Sequence, residues 1–312
     1  MNVLILSCGT RNKLVQYFKS CFDKVIVTDC SDFAPAIYAA DSYYIVPRMT
    51  APDYLDVIID ICVKEQIEVV IPLQEDELIY MAQRKQIFAD NEIWLVESSY
   101  ETVALCRDKY MFSQIMEKKG ISVIPTHLPE EAEQVLDESG KVMVKDRYGA
   151  GSVGNIIIES RHLLKAYLDA AHSELIVQPF LCGKEYGADV YVDKISKKMT
   201  SIFVKEKIRM RAGETEKSIS VVNEEIYKLI QRVTDTIDFC GPLDIDLIEQ
   251  NGKLYVLEIN PRFGGGYPHA YECGVNFPEY ILKNATDEKN TKRIFEYQPG
   301  IKCMKYSEIV TV

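Results

Sequence analysis

Positive charge is scarce in this sequence: 36 Lys and Arg stand against 47 Asp and Glu, a formal net charge of −11. That balance excludes the basic stripe of a general phosphate-backbone binder, though it leaves room for a locally basic pocket. Any Cys-x-x-Cys pair is also missing. The nine cysteines are odd in number and scattered, which excludes a disulfide framework or a zinc ribbon and points to reduced thiols in a cytoplasmic protein. No apolar run approaches the roughly 18–20 residues that span a bilayer. The opening MNVLILSCGTRNK carries its basic residues after a short apolar stretch, so it reads as a first strand and not as a signal peptide. Nucleic acid and membrane are therefore not expected partners. What remains, 47% hydrophobic and 27% charged over 312 residues, is the composition of a globular chain of about two domains.

The first hundred residues alternate short apolar runs with amphipathic stretches. Strands are expected at Val3–Leu6, Lys24–Thr28, Tyr43–Val46, Val69–Pro72 and Ile93–Val96, and helices at Lys13–Phe22, Tyr54–Glu65 and Glu75–Phe88. This alternation predicts a parallel sheet. Ser7-Cys8-Gly9-Thr10-Arg11-Asn12 holds one glycine, so the GxGxxG dinucleotide fingerprint is absent after the first strand. Tyr100–Lys119 reads as a linking helix. Beyond it the texture becomes α+β. Val142–Lys145 and Asn155–Ile158 flank a glycine loop, followed by a helix at His162–Ala171 and a strand at Leu175–Pro179. Tyr186–Val192 and Thr200–Glu206 form one hairpin, Asn223–Phe239 a helix, and Asp244–Glu249 with Lys253–Asn260 a second hairpin closed at Asn251-Gly252.

Two constellations carry chemistry. In Lys145-Asp146-Arg147-Tyr148-Gly149-Ala150-Gly151-Ser152-Val153-Gly154, glycines between strands let backbone N–H groups approach an anion, and Lys145 can set a point charge against phosphate oxygens. The lysine precedes the glycines, so this is not a P-loop. A flexible hairpin turn is the competing reading. In the second hairpin, Asp246 and Glu258 lie equally far from a turn centred at residue 252 and can face each other. With the Asn260 amide on the same face they make an all-oxygen set suited to Mg²⁺, the alternative being a solvated acidic face. Arg209 and Arg211, in the charged run Lys205–Lys217, either clamp a carboxylate or phosphoryl group or lie on a solvated face. Arg262 and the Gly264–His269 stretch would close the same pocket, with His269 a base, a substrate contact or neither.

These elements, in this order, resemble the ATP-grasp superfamily, and more closely its carbamoyl-phosphate-synthase-like and biotin-carboxylase-like branch. The resemblance rests on Arg107-Asp108-Lys109, Lys145 with the Gly149–Gly154 loop, Gln178-Pro179-Phe180-Leu181-Cys182-Gly183-Lys184-Glu185, and Asp246 with Glu258-Ile259-Asn260-Pro261-Arg262. It implies an N-terminal Rossmann-like pre-ATP-grasp domain over residues 1–100 and a two-lobed ATP-grasp domain over 101–312, with the lobes dividing near residue 180. It also implies roles. Lys109 and Lys145 would hold the ATP phosphates. Gly149, Gly151, Ser152 and Gly154 would belong to a mobile flap over them. Gln178, Phe180 and Leu181 would form the hinge that reads adenine, and Glu185 would bind the ribose. Asp246, Glu258 and Asn260 would hold Mg²⁺, or Mn²⁺ in its place, and Arg262 would face the reacting acyl group. Gln178 departs from the glutamate of many relatives, yet its carbonyl oxygen can still accept from the adenine amino group.

The activity so implied is an ATP-dependent ligase joining a carboxylate to an amine, or another nucleophile, through an acyl-phosphate with release of ADP and phosphate. The partners would be small-molecule carboxylate and amine substrates, and a homodimer is compatible with this reading. Two alternatives stand beside it: a carbamoyl-phosphate-synthase-type half-reaction on bicarbonate with a partner protein, and a non-catalytic ATP-binding accessory protein.

Overall fold

In the computed structural model, residues 1–149, 151, 154–211 and 213–312 are described. The first five strands, β1 (Asn2–Ile5), β2 (Lys24–Asp29), β3 (Ser42–Ile45), β4 (Ile67–Ile71) and β5 (Trp94–Leu95), form a parallel sheet in the order β3-β2-β1-β4-β5. Its inner strands β1, β2 and β4 are mostly buried apolar runs, as covering helices require, while edge strand β3 leaves Tyr43 and Ile45 exposed. Those helices are α1 (Asn12–Phe18), α2 (Tyr54–Lys64), α3 (Glu75–Ala82) and α4 (Lys85–Asp90). The strand order reverses at β1, so the loops leaving β1 and β4 open a crevice at the sheet's carboxyl edge. The single helix expected over Glu75–Phe88 is two, separated at Gln83 and Arg84.

The linking helix is also two: α5 (Tyr100–Arg107) and α6 (Lys109–Lys118). Asp108 between them is extended and its carboxylate accepts from the Met111 amide, 3.0 Å, which makes it the N-cap of α6. A small lobe follows. Helices α7 (Ala132–Ser139) and α8 (Arg161–Asp169) pack on a sheet of β6 (Val142–Asp146), β7 (Ile156–Ile158) and β8 (Leu175–Pro179), in the order β7-β6-β8. It has its own core around Val135, Leu136, Val142, Val144, Leu164 and Val177.

The remaining lobe is built on antiparallel strands β9 (Lys184–Val192), β10 (Met199–Arg211), β11 (Glu214–Val221), β12 (Gly241–Gln250) and β13 (Lys253–Asn260), with α9 (Glu224–Thr236) on one face. Helices α10 (Tyr267–Glu272) and α11 (Phe277–Ala285) and the short strands β14 (Arg293–Ile294) and β15 (Lys302–Met304) complete it. The path is β13-β12-β9-β10-β11-β15, and β14 pairs with β10. One face of this sheet packs Val190, Ile202, Val204, Ile245, Leu247 and Ile259 against α9. Tyr191 and Phe203, with Phe263, Tyr267 and Phe277, instead share one apolar cluster with Val3, Ile5 and Phe18 of the N-terminal domain. Tyr17 stacks on Tyr271 with centroids 3.6 Å apart, and Phe18 meets Phe263 edge-on at 5.8 Å. The domain at the N-terminus and the large lobe are thus joined by a continuous core. No described helix is long and apolar enough to cross a membrane.

Candidate active site

The site begins with a register. Asn251 and Gly252 both take positive φ (54° and 75°), forming the tight turn that Asn-Gly favours, and pair Gln250 with Lys253. Continued unbroken, that register would set Asp246 against Leu257 and turn Glu258 into the core. A bulge intervenes: Leu247 pairs with Val256, Leu257 is passed over, and Asp246 pairs with Glu258 and Asp244 with Asn260. Four oxygen-bearing side chains therefore share one face. Gly187, opposite Asp246 on β9, lets the stems of Lys205 and Lys207 pass close over it.

This acidic face is crowded. Burial pushes the Asp246 carboxyl above the ordinary carboxylate range, and Asp244 and Glu258 add to that, against the pull of Lys207. Lys207 Nζ lies 2.5 Å from Asp246 Oδ1. Burial opposes its charge, but Asp246 and Asp244 hold it above the ordinary lysine value. Deeper in, Lys205 and Asp189 form a fully buried ion pair. Among the described residues, no three His, Cys, Asp or Glu side chains stand assembled as a metal cage. The fit to a cation rests instead on Asp246, Glu258 and the Asn260 amide, a hard all-oxygen set whose mutual repulsion a divalent ion would relieve.

Across the cleft, Lys145 lies on the face of β6 opposite the lobe's core, in register with Ile176 of β8. Burial holds it below the ordinary lysine range, with Glu258 and Asp246 pulling the other way and Lys109 adding repulsion. Lys109, the first residue of α6, donates from Nζ to the Gly149 carbonyl. Its position is braced by Asp108, which takes a two-point contact from Arg147 (2.8 and 2.6 Å). Gly149 ends the turn after β6, while Gly151 and Gly154 occupy the left-handed region at φ 61° and 75°. Gly213, at the β10–β11 turn, packs against the Gly151 carbonyl. Ser152, the remaining flap candidate, lies outside the described residues.

Gln178 is buried on the same face as Lys145. The Phe180 amide is already spent on the Lys141 carbonyl (2.9 Å), and Cys182 N–H donates to the Gln250 side chain. Leu181 is half-buried beyond them. A Cβ on Gly183 would collide with the Glu249 carbonyl, so glycine alone lets the hinge cross the end of β12. Glu185 is exposed on β9, opposite Ile248, and its charge reaches Lys207.

The far end of the cleft, about 420 Å³ in all, takes residues from both crevice loops of the N-terminal domain. Arg262 Nη2 donates to Glu75 Oε1 at 2.7 Å, with Asp244 3.7 Å away. Arg11 pairs with Glu214 at 3.0 Å, and Arg107 with Asp76. The sequence signals for Asp244 (two residues before Asp246) and Lys207 (two after Lys205) were present as strand spacing. Arg11, Glu75 and Glu214 had none, because only the assembled domains bring them to the cleft.

Arg209 and Arg211 are not brought there. Lys207 pairs with Ser218 and Arg209 with Lys217, so Ile208 is an extra residue in β10. That bulge turns the next side chains over. Both arginines are exposed and reach Glu216, at 2.9 and 3.4 Å, and Met210 lines the cleft in their stead. His269 is buried away from the cleft, 2.8 Å from Ser218 Oγ and 3.2 Å from the Ile301 carbonyl. Burial and Lys205 lower it to about 4.

Known proteins share this fold. Residues 3–96 match the family model described as PylC-like, N-terminal domain. The chain is 24% identical over 295 residues to the carbamoyl phosphate synthase arginine-specific large chain of Geobacillus stearothermophilus, covering 90% of this chain and 27% of that one. It thus spans about a quarter of that relative's length. In fold it resembles the biotin carboxylase domain of Hydrogenobacter thermophilus 2-oxoglutarate carboxylase, solved with MgADP, ADP and bicarbonate (TM-score 0.78, 16% identity, 96% of this chain and 73% of that one). It is also similar to N5-carboxyaminoimidazole synthetase from Staphylococcus aureus complexed with ADP (TM-score 0.77, 18% identity, 96% and 80%). The model described as ATP-grasp domain matches residues 106–266, more than half of the chain, and the chain belongs to the ATP-grasp family.

Proposed function

We propose that this protein is an ATP-dependent ligase that joins a small-molecule carboxylate to an amine, or a like nucleophile, through an acyl-phosphate, releasing ADP and phosphate. The observation that carries the proposal is the bulged hairpin, which sets Asp246, Glu258 and Asn260 on one face, opposite Lys145 and Lys109. A carboxylate is a poor electrophile, and transfer of a phosphoryl group gives it a leaving group. That transfer needs positioning and charge neutralisation more than covalent help from the protein. Asp246, Glu258 and Asn260 would hold Mg²⁺, which would supply charge neutralisation for the transferring phosphoryl group.

The chain's own residues do the rest. Lys145 and Lys109 place positive charge at the phosphates from the small lobe and the linking helix. Lys207, released from Asp246, is free to turn to the same oxygens. Arg262, held by Glu75 beside Asp244, presents a guanidinium where charge develops on the acyl group. Gly149, Gly151 and Gly154 carry no Cβ, so phosphates can approach their backbone N–H groups closely. Nine free cysteines and small soluble substrates suit the cytoplasm. The related biotin carboxylase domain is a dimer, and sedimentation would measure whether this chain also pairs.

A carboxylate screen for Mg²⁺–ATP-dependent ADP release in the presence of hydroxylamine tests the reading: the right acid yields a hydroxamate and one ADP. Glu258→Gln should abolish the reaction and leave the melting temperature near wild type, since it removes a carboxylate from a crowded face. ADP release with bicarbonate alone would favour carbamoyl-phosphate-type chemistry. No turnover with any acid would leave an accessory nucleotide binder.

A further inference from the structure

Gln178 is 1% exposed, and among the described residues its side-chain Oε1 is one of nine buried polar atoms without a partner. A buried acceptor in this state has an open place for a donor, from a ligand or from water. Its Nε2 is not free: it lies 2.8 Å from Thr126 Oγ1, which is itself 2% exposed. A hydroxyl has one proton, and Thr126 gives its own to the Ile124 carbonyl at 3.1 Å. Toward Gln178 it can therefore only accept. That requirement sets the amide with nitrogen toward Thr126 and leaves Oε1 as the unpaired acceptor, on a side chain that shares its sheet face with Lys145. An isolated bridge between His127 and Val177 holds the two segments together beside this contact.

We infer that Thr126 is a positioning residue that sets the purine preference of the site, by locking Gln178 Oε1 as an acceptor for a 6-amino group. This rests on the ATP reading above and adds the base selection to it. A 6-oxopurine would bring its own carbonyl against Oε1, two acceptors with no proton between them, whereas an inverted amide would reverse the preference. Thr126→Val keeps the shape and removes the acceptor. The Ile124 carbonyl still receives Ser113 Oγ at 3.1 Å, so the variant strands only Gln178 Nε2, which is then free to turn into the cleft.

Calorimetric titration of the full chain with Mg²⁺–ATP and Mg²⁺–ITP provides the test. Wild type should bind ATP at least about tenfold more tightly than ITP, the scale of one well-placed buried hydrogen bond. Thr126→Val should narrow that ratio by about tenfold, with ITP binding held or improved, and Thr126→Ser should keep it. If Thr126→Val melts early, Thr126→Ala removes the same acceptor with less crowding and must narrow the ratio likewise. A wild type that binds ITP as well as ATP, or a folded Thr126→Val with an unchanged ratio, overturns the locking role while the ligase reading stands. Failure of wild type to bind either nucleotide overturns both.

Discussion

His269 and Asp246 show how the same lysine row acts on two neighbours. Lys205 and burial press His269 down from its ordinary 6.5 to about 4, so the ring is neutral and serves packing, edge-on to Phe203 at 4.9 Å. The consequence for stability has a definite sign. Between pH 6.5 and 4 the unfolded chain protonates this histidine and the folded chain does not. Stability is therefore full above pH 6.5 and is lost as pH falls toward 4, by up to about 3 kcal/mol from this group. In His269→Gln, urea midpoints at pH 7 and pH 4.5 should differ less than they do in wild type. An equal difference in the two proteins would mean that the ring titrates normally. Beside Gly264–Gly266 the sequence leaves this histidine as a base, a substrate contact or neither, because its partners Ser218 and Ile301 and the nearby Lys205 are all distant in the chain.

At the scale of elements, alternation and turn chemistry made much of the fold legible. Asn251-Gly252 marked a hairpin, the N-terminal strands read as buried apolar runs, and Lys145 and Gln178 fell on strands. Departures cluster where one residue breaks a period. A bulge at Ile208 turns Arg209 and Arg211 off the cleft. Another at Leu257 compensates for a turn centred between Asn251 and Gly252, so the Asp246–Glu258 pairing holds for a reason that counting from residue 252 does not contain. Periodicity also runs unbroken through Tyr100–Lys119 although Asp108 divides it, since amphipathic spacing continues across a cap. Asp108 both caps α6 and clamps Arg147, and the two functions separate by mutation. Asp108→Asn keeps the cap oxygen and weakens the ion pair. Asp108→Ala loses both and should cost about 1–3 kcal/mol in denaturation. Because Lys109 starts the same helix, Asp108→Ala should also weaken Mg²⁺–ATP binding several-fold, and Asp108→Asn less so. Equal binding by both variants would detach Lys109 from this brace.

Across the whole molecule, the distribution of cores decides which part can move. The N-terminal sheet and the large lobe share one aromatic cluster, so Arg11, Glu75 and Arg262 meet across a boundary that packing keeps rigid. The small lobe keeps a separate core of short, partly exposed elements, and Lys145 and Gln178 ride on it. A unit with its own core and few apolar ties to its neighbours opens at lower free energy than the global transition. Amides of β6, β7 and β8 should accordingly exchange with deuterium faster than those of β1, β2 and β4 in the free protein. Mg²⁺–ATP would bridge Lys145 and Lys109 on one side to Asp246 and Glu258 on the other, and its binding energy would oppose that local opening. Exchange in β6–β8 should slow by about tenfold or more at saturating nucleotide, with a smaller change in the N-terminal sheet. Equal protection of both regions would show instead that the chain opens as one body and that the small lobe does not act as a lid on the cleft.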